Sequence, residues 1–180
     1  MAGTVVAHKN ATARAGNLYN QLEGGNSAMN IIDMLKQDHQ EAAATMDRIE
    51  SAGEGDSSVM TTFNQLKEAL TLHTQIEEQI FYPALQNNDA TEDQISESFE
   101  EHQEVKDLLA EMSGLQAGND EFMSMMSDLR AAVEHHVEEE ENELFPKSQK
   151  ILGDSRLQEM GQQMMQMKQG KSATATPKRK

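Results

Sequence analysis

Residues 73–83 read HTQIEEQIFYP, and residues 136–146 read HVEEEENELFP. Each stretch sets a His four residues ahead of a Glu, His73 with Glu77 and His136 with Glu140, then an aromatic and a Pro at matching distances. Four residues are about 400° of α-helix, so each His and its Glu lie about 40° apart on one face. Two more His stand upstream in similar words, DHQE around His39 and EHQE around His102. One offset of 63 residues carries 39 to 102, 73 to 136, 77 to 140 and 83 to 146. A shared offset predicts a duplicated helical hairpin, and what is duplicated is a set of metal-ligand side chains.

Apolar residues recur at three- and four-residue steps around these positions. The first seam runs Ile32, Leu35, His39, Ala42, Met46, Ile49, and a helix starting at 27–30 carries it until Gly53 and Gly55 end it. Asp56, Ser57 or Ser58 caps the second helix, with Val59, Phe63, Leu66, Leu70, His73, Glu77 and Ile80 in line; Pro83 kinks or ends it. Thr91 with Gln94 fits a capping box for the third, which holds Ile95, His102, Val105, Leu109 and Met112. Asn119 or Asp120 caps the fourth, with Phe122, Met126, Leu129, Val133, His136, Glu140 and Leu144. The expected architecture is all-α: an up-down-up-down four-helix bundle over 29–152, its hairpins related by a pseudo-two-fold axis. Residues 1–28 read as an N-terminal extension with a short helix near 13–22. Gly153 and Asp154 introduce a short C-terminal helix, 153–170, whose stripe of Leu157, Met160, Met164 and Met167 packs on the bundle or on a second copy. Gly161 counts against that helix. Residues 171–180 read as a basic disordered tail.

Charge and composition exclude several roles. The 180 residues carry a formal charge of −16. Residues 29–167 hold 8 bases against 30 acids, and residues 168–180 hold five bases and no acid. Such an acidic body repels nucleic acid and anionic lipid, and neither is an expected partner. With no Cys, disulfides, thiol chemistry and cysteine-ligated clusters are absent. No apolar run reaches membrane-span length and no signal-like stretch opens the chain, so a cytoplasmic location is expected.

His39, His73, Glu77, His102, His136 and Glu140 all fall on apolar seams. A single buried polar residue is usually satisfied within a core, but four imidazoles and two carboxylates satisfy one another poorly. Metal is the better partner, and this donor set suits iron, manganese or zinc over calcium or magnesium. Two carboxylates near a two-fold axis are placed to bridge two metals, with two His for each and open positions left for water or a small ligand. His135 falls about 100° round the helix, facing solvent or standing behind the ligands. Glu78, Glu138, Glu139 and Glu141 read as a solvated face from which some could orient imidazoles. His8 reads as exposed, and nothing argues for Tyr19 as a ligand. No Glu stands three residues before any His, so the ferritin-type Glu-x-x-His pattern is missing.

The pattern H…HxxxE…H…HxxxE, with DH opening it and FYP or LFP closing each HxxxE, resembles the hemerythrin-like HHE cation-binding domain over residues 29–150. The resemblance implies two iron ions in an oxo- or hydroxo-bridged di-iron centre held by His39, His73, Glu77, His102, His136 and Glu140. The oxygen-carrying members have a further His where Lys106 stands, and an Asp five residues after the fourth-helix His, where this chain has Glu141 and already has Glu140 at four. The resemblance is therefore closer to bacterial members with six protein ligands. It implies a protein that binds and turns over dioxygen, hydrogen peroxide or nitric oxide under stress, as a peroxide-decomposing or nitric oxide-reducing oxidoreductase with an unidentified electron donor. The alternative is an oxygen, nitric oxide or iron sensor or store acting through a partner. A homodimer is a candidate assembly. The cluster-repair members carry a Cys-containing N-terminal segment, which this chain lacks.

Overall fold

The structure, a computed structural model, describes residues 29–52, 56, 58–116 and 119–174. The expected extension with its short helix, His8 and Tyr19, and residues 175–180 of the tail, lie outside the described residues. Five α-helices follow in order: α1 Ile31–Glu50, α2 Ser58–Ile76, α3 Glu92–Met112, α4 Asp120–Glu139 and α5 Phe145–Thr174. No strand occurs among the described residues. α1 packs against α2 and α4, and α3 against α4 and α2, which closes the four-helix bundle that the apolar seams predict.

Local chemistry sets most of the ends. Asn30 caps α1, its side chain accepting the Asp33 amide at 3.0 Å, and Asn119 caps α4 through the Phe122 amide at 2.7 Å. The Asp56 side chain accepts from the Ser58 amide at 2.8 Å. The capping box at Thr91 and Gln94 does not form. Thr91 makes no capping bond; its hydroxyl is taken by the Leu85 carbonyl at 2.8 Å. Gln94 turns away to Glu143 and Lys147 at 2.8 and 2.7 Å. The buried carbonyl in the tight turn after Pro83 outcompetes a solvent-reachable helix end.

Directly after α2 and α4 the backbone changes pitch. Glu77–Phe81 and Glu140–Leu144 are π-helical, with the Tyr82 amide on the Glu77 carbonyl and the Phe145 amide on the Glu140 carbonyl. Both begin at the Glu of HxxxE, 63 residues apart, so the duplication extends to the backbone. Tyr82–Ala84 then form a 3-10 turn that ends the second helix, as Pro83 predicts. Pro146 instead sits in the first turn of α5, where a missing N–H costs little, and the helix runs on.

Buried side chains fall into two apolar clusters. One holds Ile31, Leu35, Ile76, Phe81, Tyr82, Leu144, Phe145 and the α5 residues Leu157, Met160 and Met164. The other holds Met46, Ile49, Phe63, Leu66, Leu109, Phe122, Met126 and Leu129. Each such side chain contributes about 1.5–3 kcal/mol on burial, so the ends of the bundle bear the stability and the level between them is left for polar groups.

Gly153, at φ 70°, provides the expected break within α5. Beyond it the helix lies along the start of α1, and any Cβ on Gly161 would collide with the Met29 carbonyl. Gly161 therefore permits this docking, which outweighs its poor helix propensity. The helix continues to Thr174, past residue 170 where the tail is expected to start.

Candidate metal centre

The four seam His and two seam Glu form the polar level between the clusters, and all six are buried. His39 comes from α1, His73 from α2, His102 from α3 and His136 from α4, while Glu77 and Glu140 open the two π-helical turns. The imidazoles pair by Nε2: His39 with His73 at 3.2 Å and His102 with His136 at 3.3 Å. Glu77 Oε2 lies 3.1 Å from His73 Nε2 and 3.2 Å from His102 Nε2. Glu140 Oε2 lies 3.5 Å from His39 Nε2 and 3.7 Å from His136 Nε2. Each carboxylate thus faces one His of each pair.

The outward nitrogens repeat the same symmetry. His39 Nδ1 donates to Glu141 at 2.9 Å, and its counterpart His102 donates to Glu78 at 3.0 Å. His136 Nδ1 donates to Glu101 at 2.8 Å; His73 Nδ1 faces Asp38 at 3.6 Å, an ionic contact too long for a hydrogen bond. An acid stands directly beside each seam His of α1 and α3 and beside each seam Glu, at 38, 78, 101 and 141. Glu78 and Glu141 are therefore not a free solvated face. Asp38 and Glu101, not singled out beforehand, carry a legible signal: the letter before each upstream His. His135 stays outside, its side chain 63% exposed.

A second omission is Tyr82. Its hydroxyl donates to Glu140 Oε1 at 3.0 Å and sits 3.3 Å from His102 Nε2. Its counterpart by the 63-residue offset is Phe145, whose ring stacks on His39 with no hydroxyl to offer. The two halves match in these His and Glu and differ in this hydroxyl. Burial, followed by the charges of Glu140 and Glu77, pushes the Tyr82 phenol well above its ordinary range, so it stays a donor.

Charge is shared unequally among the six. Burial, then the neighbouring His73 charge, lowers His39 to about 4. Burial works against a charged His73, but the Glu77 charge and the Asp38 and Glu77 carboxylates at its two ring nitrogens lift it to about 10. Glu77, in spite of burial, is held well below its usual value by His73 and His102. Glu140 is pushed well above its own by burial and by Glu77. The metal-free site therefore favours an ion pair of His73 and Glu77, with Glu140 the carboxylate whose charge is the less favoured of the two.

That arrangement leaves atoms unserved. Both Glu77 oxygens, Glu140 Oε2 and His73 Nδ1 are buried without a hydrogen bond, and each such group costs roughly 1–3 kcal/mol. Two donors about 2.1 Å from one ion, at tetrahedral or right angles, stand roughly 3.0–3.4 Å apart; the paired Nε2 atoms are at 3.2 and 3.3 Å. Potential ligand atoms gather as His39, His73, Glu77 and Glu140, and as Glu77, His102 and His136, with Glu77 common to both groups. The residues present fit two metal ions. A cavity of about 200 Å³ adjoins all four His, walled by Ala42, Leu70, Val105 and Val133, with Asp38, Glu41, Leu72 and Lys168 at its rim.

A helical bundle enclosing a duplicated His and Glu cluster defines a helical cation-binding protein. The model of the family described as hemerythrin HHE cation binding domain matches residues 30–148, and the chain belongs to that family. Metal binding is the function class this membership supports. A hemerythrin-like protein of Schizosaccharomyces pombe is 25% identical over 126 residues, 69% of this chain and 62% of that protein. A DNA nickase of Nostoc sp. is 27% identical over 117 residues, 65% of this chain but 33% of its own length. The chain thus spans about a third of the one relative and under two thirds of the other. An uncharacterised protein of Mycobacterium tuberculosis is 26% identical over 137 residues, 76% of this chain and 83% of that one. A hemerythrin HHE cation binding domain-containing protein from Mycobacterium kansasii, known as a crystal structure, shares the fold. Its TM-score is 0.71 at 24% identity, covering 81% of this chain and 89% of that one. Among the described residues, no helix is long and apolar enough to cross a membrane.

Proposed function

We propose that the chain holds two iron ions through His39, His73, Glu77, His102, His136 and Glu140, and uses them to bind and turn over a small oxidant: dioxygen, hydrogen peroxide or nitric oxide. The observation that supports this most is the set of buried, bare carboxylate oxygens between two imidazole pairs, beside a cavity of about 200 Å³. When bound, iron supplies electrons and open coordination positions. The protein's own part is to aim each Nε2 inward by engaging Nδ1 with an acid, to span both sites with Glu77 and Glu140, and to hold a hydroxyl proton at Glu140 Oε1 through Tyr82. The apolar cavity wall keeps bulk water away while admitting molecules of a few atoms. A cytoplasmic location and an outside electron donor belong to the same proposal.

DNA nicking is not carried over from the Nostoc relative. The match is a minor part of that protein, and an excess of 22 acids over bases in residues 29–167 (30 against 8) opposes a phosphate backbone.

The test is metal content and reaction with each oxidant in turn. Protein from iron-replete cells should carry about two irons per chain, as the two groups of ligand atoms require, and consume peroxide rapidly. His73→Ala should lose that activity. Peroxide loss no faster than that caused by free iron would refute turnover and leave the sensor or store as the reading.

Metal uptake should also release protons. Near pH 7 the metal-free site carries a proton on His73, lifted to about 10. It must leave for a metal to bind at Nε2, so uptake should expel protons, at least one per chain, and affinity should fall at least about tenfold per pH unit of acidification below the His73 value. Calorimetric titration in buffers of different ionisation enthalpy counts them.

A further inference from the structure

The helix beyond Gly153 lies outside the family match at 30–148, yet it reaches the centre. Gly161 sits on the start of α1, and one further stretch along both helices brings the Lys168 ammonium onto the Asp38 carboxylate. Asp38 is the acid that faces His73 Nδ1, and both Asp38 and Lys168 stand at the rim of the cavity beside the four His. The side chains of Asp38 and Lys168 are 14% and 30% exposed, so the pair closes part of the rim without being sealed from solvent. Lys168 is the only cationic side chain on that rim among the described residues.

We infer that Lys168 is a positioning residue for the metal centre, and that it serves only the half built on His39 and His73. By holding Asp38 it keeps the carboxylate aimed at His73, and by lying across the rim it narrows the way in and out. The other half is held differently: Lys106 donates to Glu78, the acid on His102 Nδ1, at 2.6 Å, whereas Glu101, the counterpart of Asp38, meets the exposed His135 at 3.6 Å on its outer side. The inference rests on the proposed site but not on its redox chemistry.

The test uses the full chain loaded with Co(II), a coloured probe, and follows the metal's removal by a chelator in excess. Lys168→Met and Lys168→Glu should surrender one of the two ions about five- to tenfold faster than the wild-type chain, the size expected for losing a partly exposed ion pair. Lys168→Arg, which keeps the charge, should behave as the wild type does. Added salt should speed release from the wild type by a larger factor than from Lys168→Met, because the variant shares the acidic field of the chain but lacks the pair that salt screens. Release from Lys168→Met at the wild-type rate overturns the inference, as does an Arg variant as leaky as the Met variant. A wild-type chain that takes up no Co(II) overturns the metal site along with it; one that holds two ions indifferent to Lys168 overturns this inference alone.

Discussion

Adding two divalent metal ions to the metal-free chain is expected to raise its thermal midpoint by about 10–20 °C. A ligand present at a hundred times its dissociation constant stabilises the native state by about 2.7 kcal/mol, so two sites give about 5 kcal/mol. A chain of this size gains about 2–4 °C per kcal/mol. The unfolded chain scatters its six ligands along four helices' worth of sequence, so nearly all the binding energy belongs to the fold. The Glu77 and Glu140 oxygens that lack a hydrogen bond give the effect its source, since a metal ion would satisfy them better than the imidazoles 3.1 to 3.7 Å away. Iron(II), cobalt(II), manganese(II) and zinc(II) should all raise the midpoint, magnesium and calcium hardly at all, because four of the six ligands are imidazoles. Scanning calorimetry with and without chelator reads this directly. A midpoint indifferent to every one of these metals would refute the site.

Glu77→Ala should be the most damaging single change at the centre, removing tight binding of both ions together. Glu77 Oε2 lies 3.1 and 3.2 Å from an imidazole of each pair, whereas Glu140 reaches its two at 3.5 and 3.7 Å. Without Glu77 neither half keeps more than two imidazoles and a distant carboxylate. Glu101→Gln removes only the acid behind His136 and should cost about 10–100-fold in affinity; Glu139→Ala, on the exposed face, should cost nothing measurable. In the metal-free protein Glu77→Ala should cost less than the roughly 3–5 kcal/mol of a broken buried ion pair, because His73 can shed its proton once its partner is gone. Metal titrations of the three variants separate these outcomes. A Glu77→Ala chain that still binds one ion tightly would show that the two sites are independent.

That these six His and Glu gather in one buried cluster was legible because burial and chemistry conflict at their positions. A His or Glu in an apolar seam breaks the pattern, and a second copy 63 residues on removes coincidence. The four helices were legible for the same reason: a three- and four-residue apolar rhythm interrupted at glycines and polar caps. What escaped depends on tertiary placement. Tyr82 reads as one more core aromatic until Glu140 is seen 3.0 Å from its hydroxyl. Asp38 and Glu101 look like any solvated acid on an acidic helix. Lys168, near the end of the expected C-terminal helix, reads as the first of the five bases at 168–180, because its partner lies 130 residues away. Thr91 and Gln94 have the letters of a capping box, but a nearer carbonyl and more distant side chains claim them. The change of pitch at Glu77 and Glu140 went unread because each seam has only one or two apolar positions beyond its Glu, too few to reveal a shift of phase.

Those two wide turns have a consequence for how the helices can vary. A π-helical turn adds a residue without adding length in proportion, which rotates everything after it by most of one residue's angular step. The proposed ligands His73, Glu77, His136 and Glu140 all precede or open the added turn, while Tyr82 and Phe145 follow it. The chain therefore holds two angular phases on each of these helices, one for gripping metal and one for lining what surrounds it. Substitutions after the turn can retune the surroundings of the ions, as the Tyr82 and Phe145 difference already does, while the grip stays as it is.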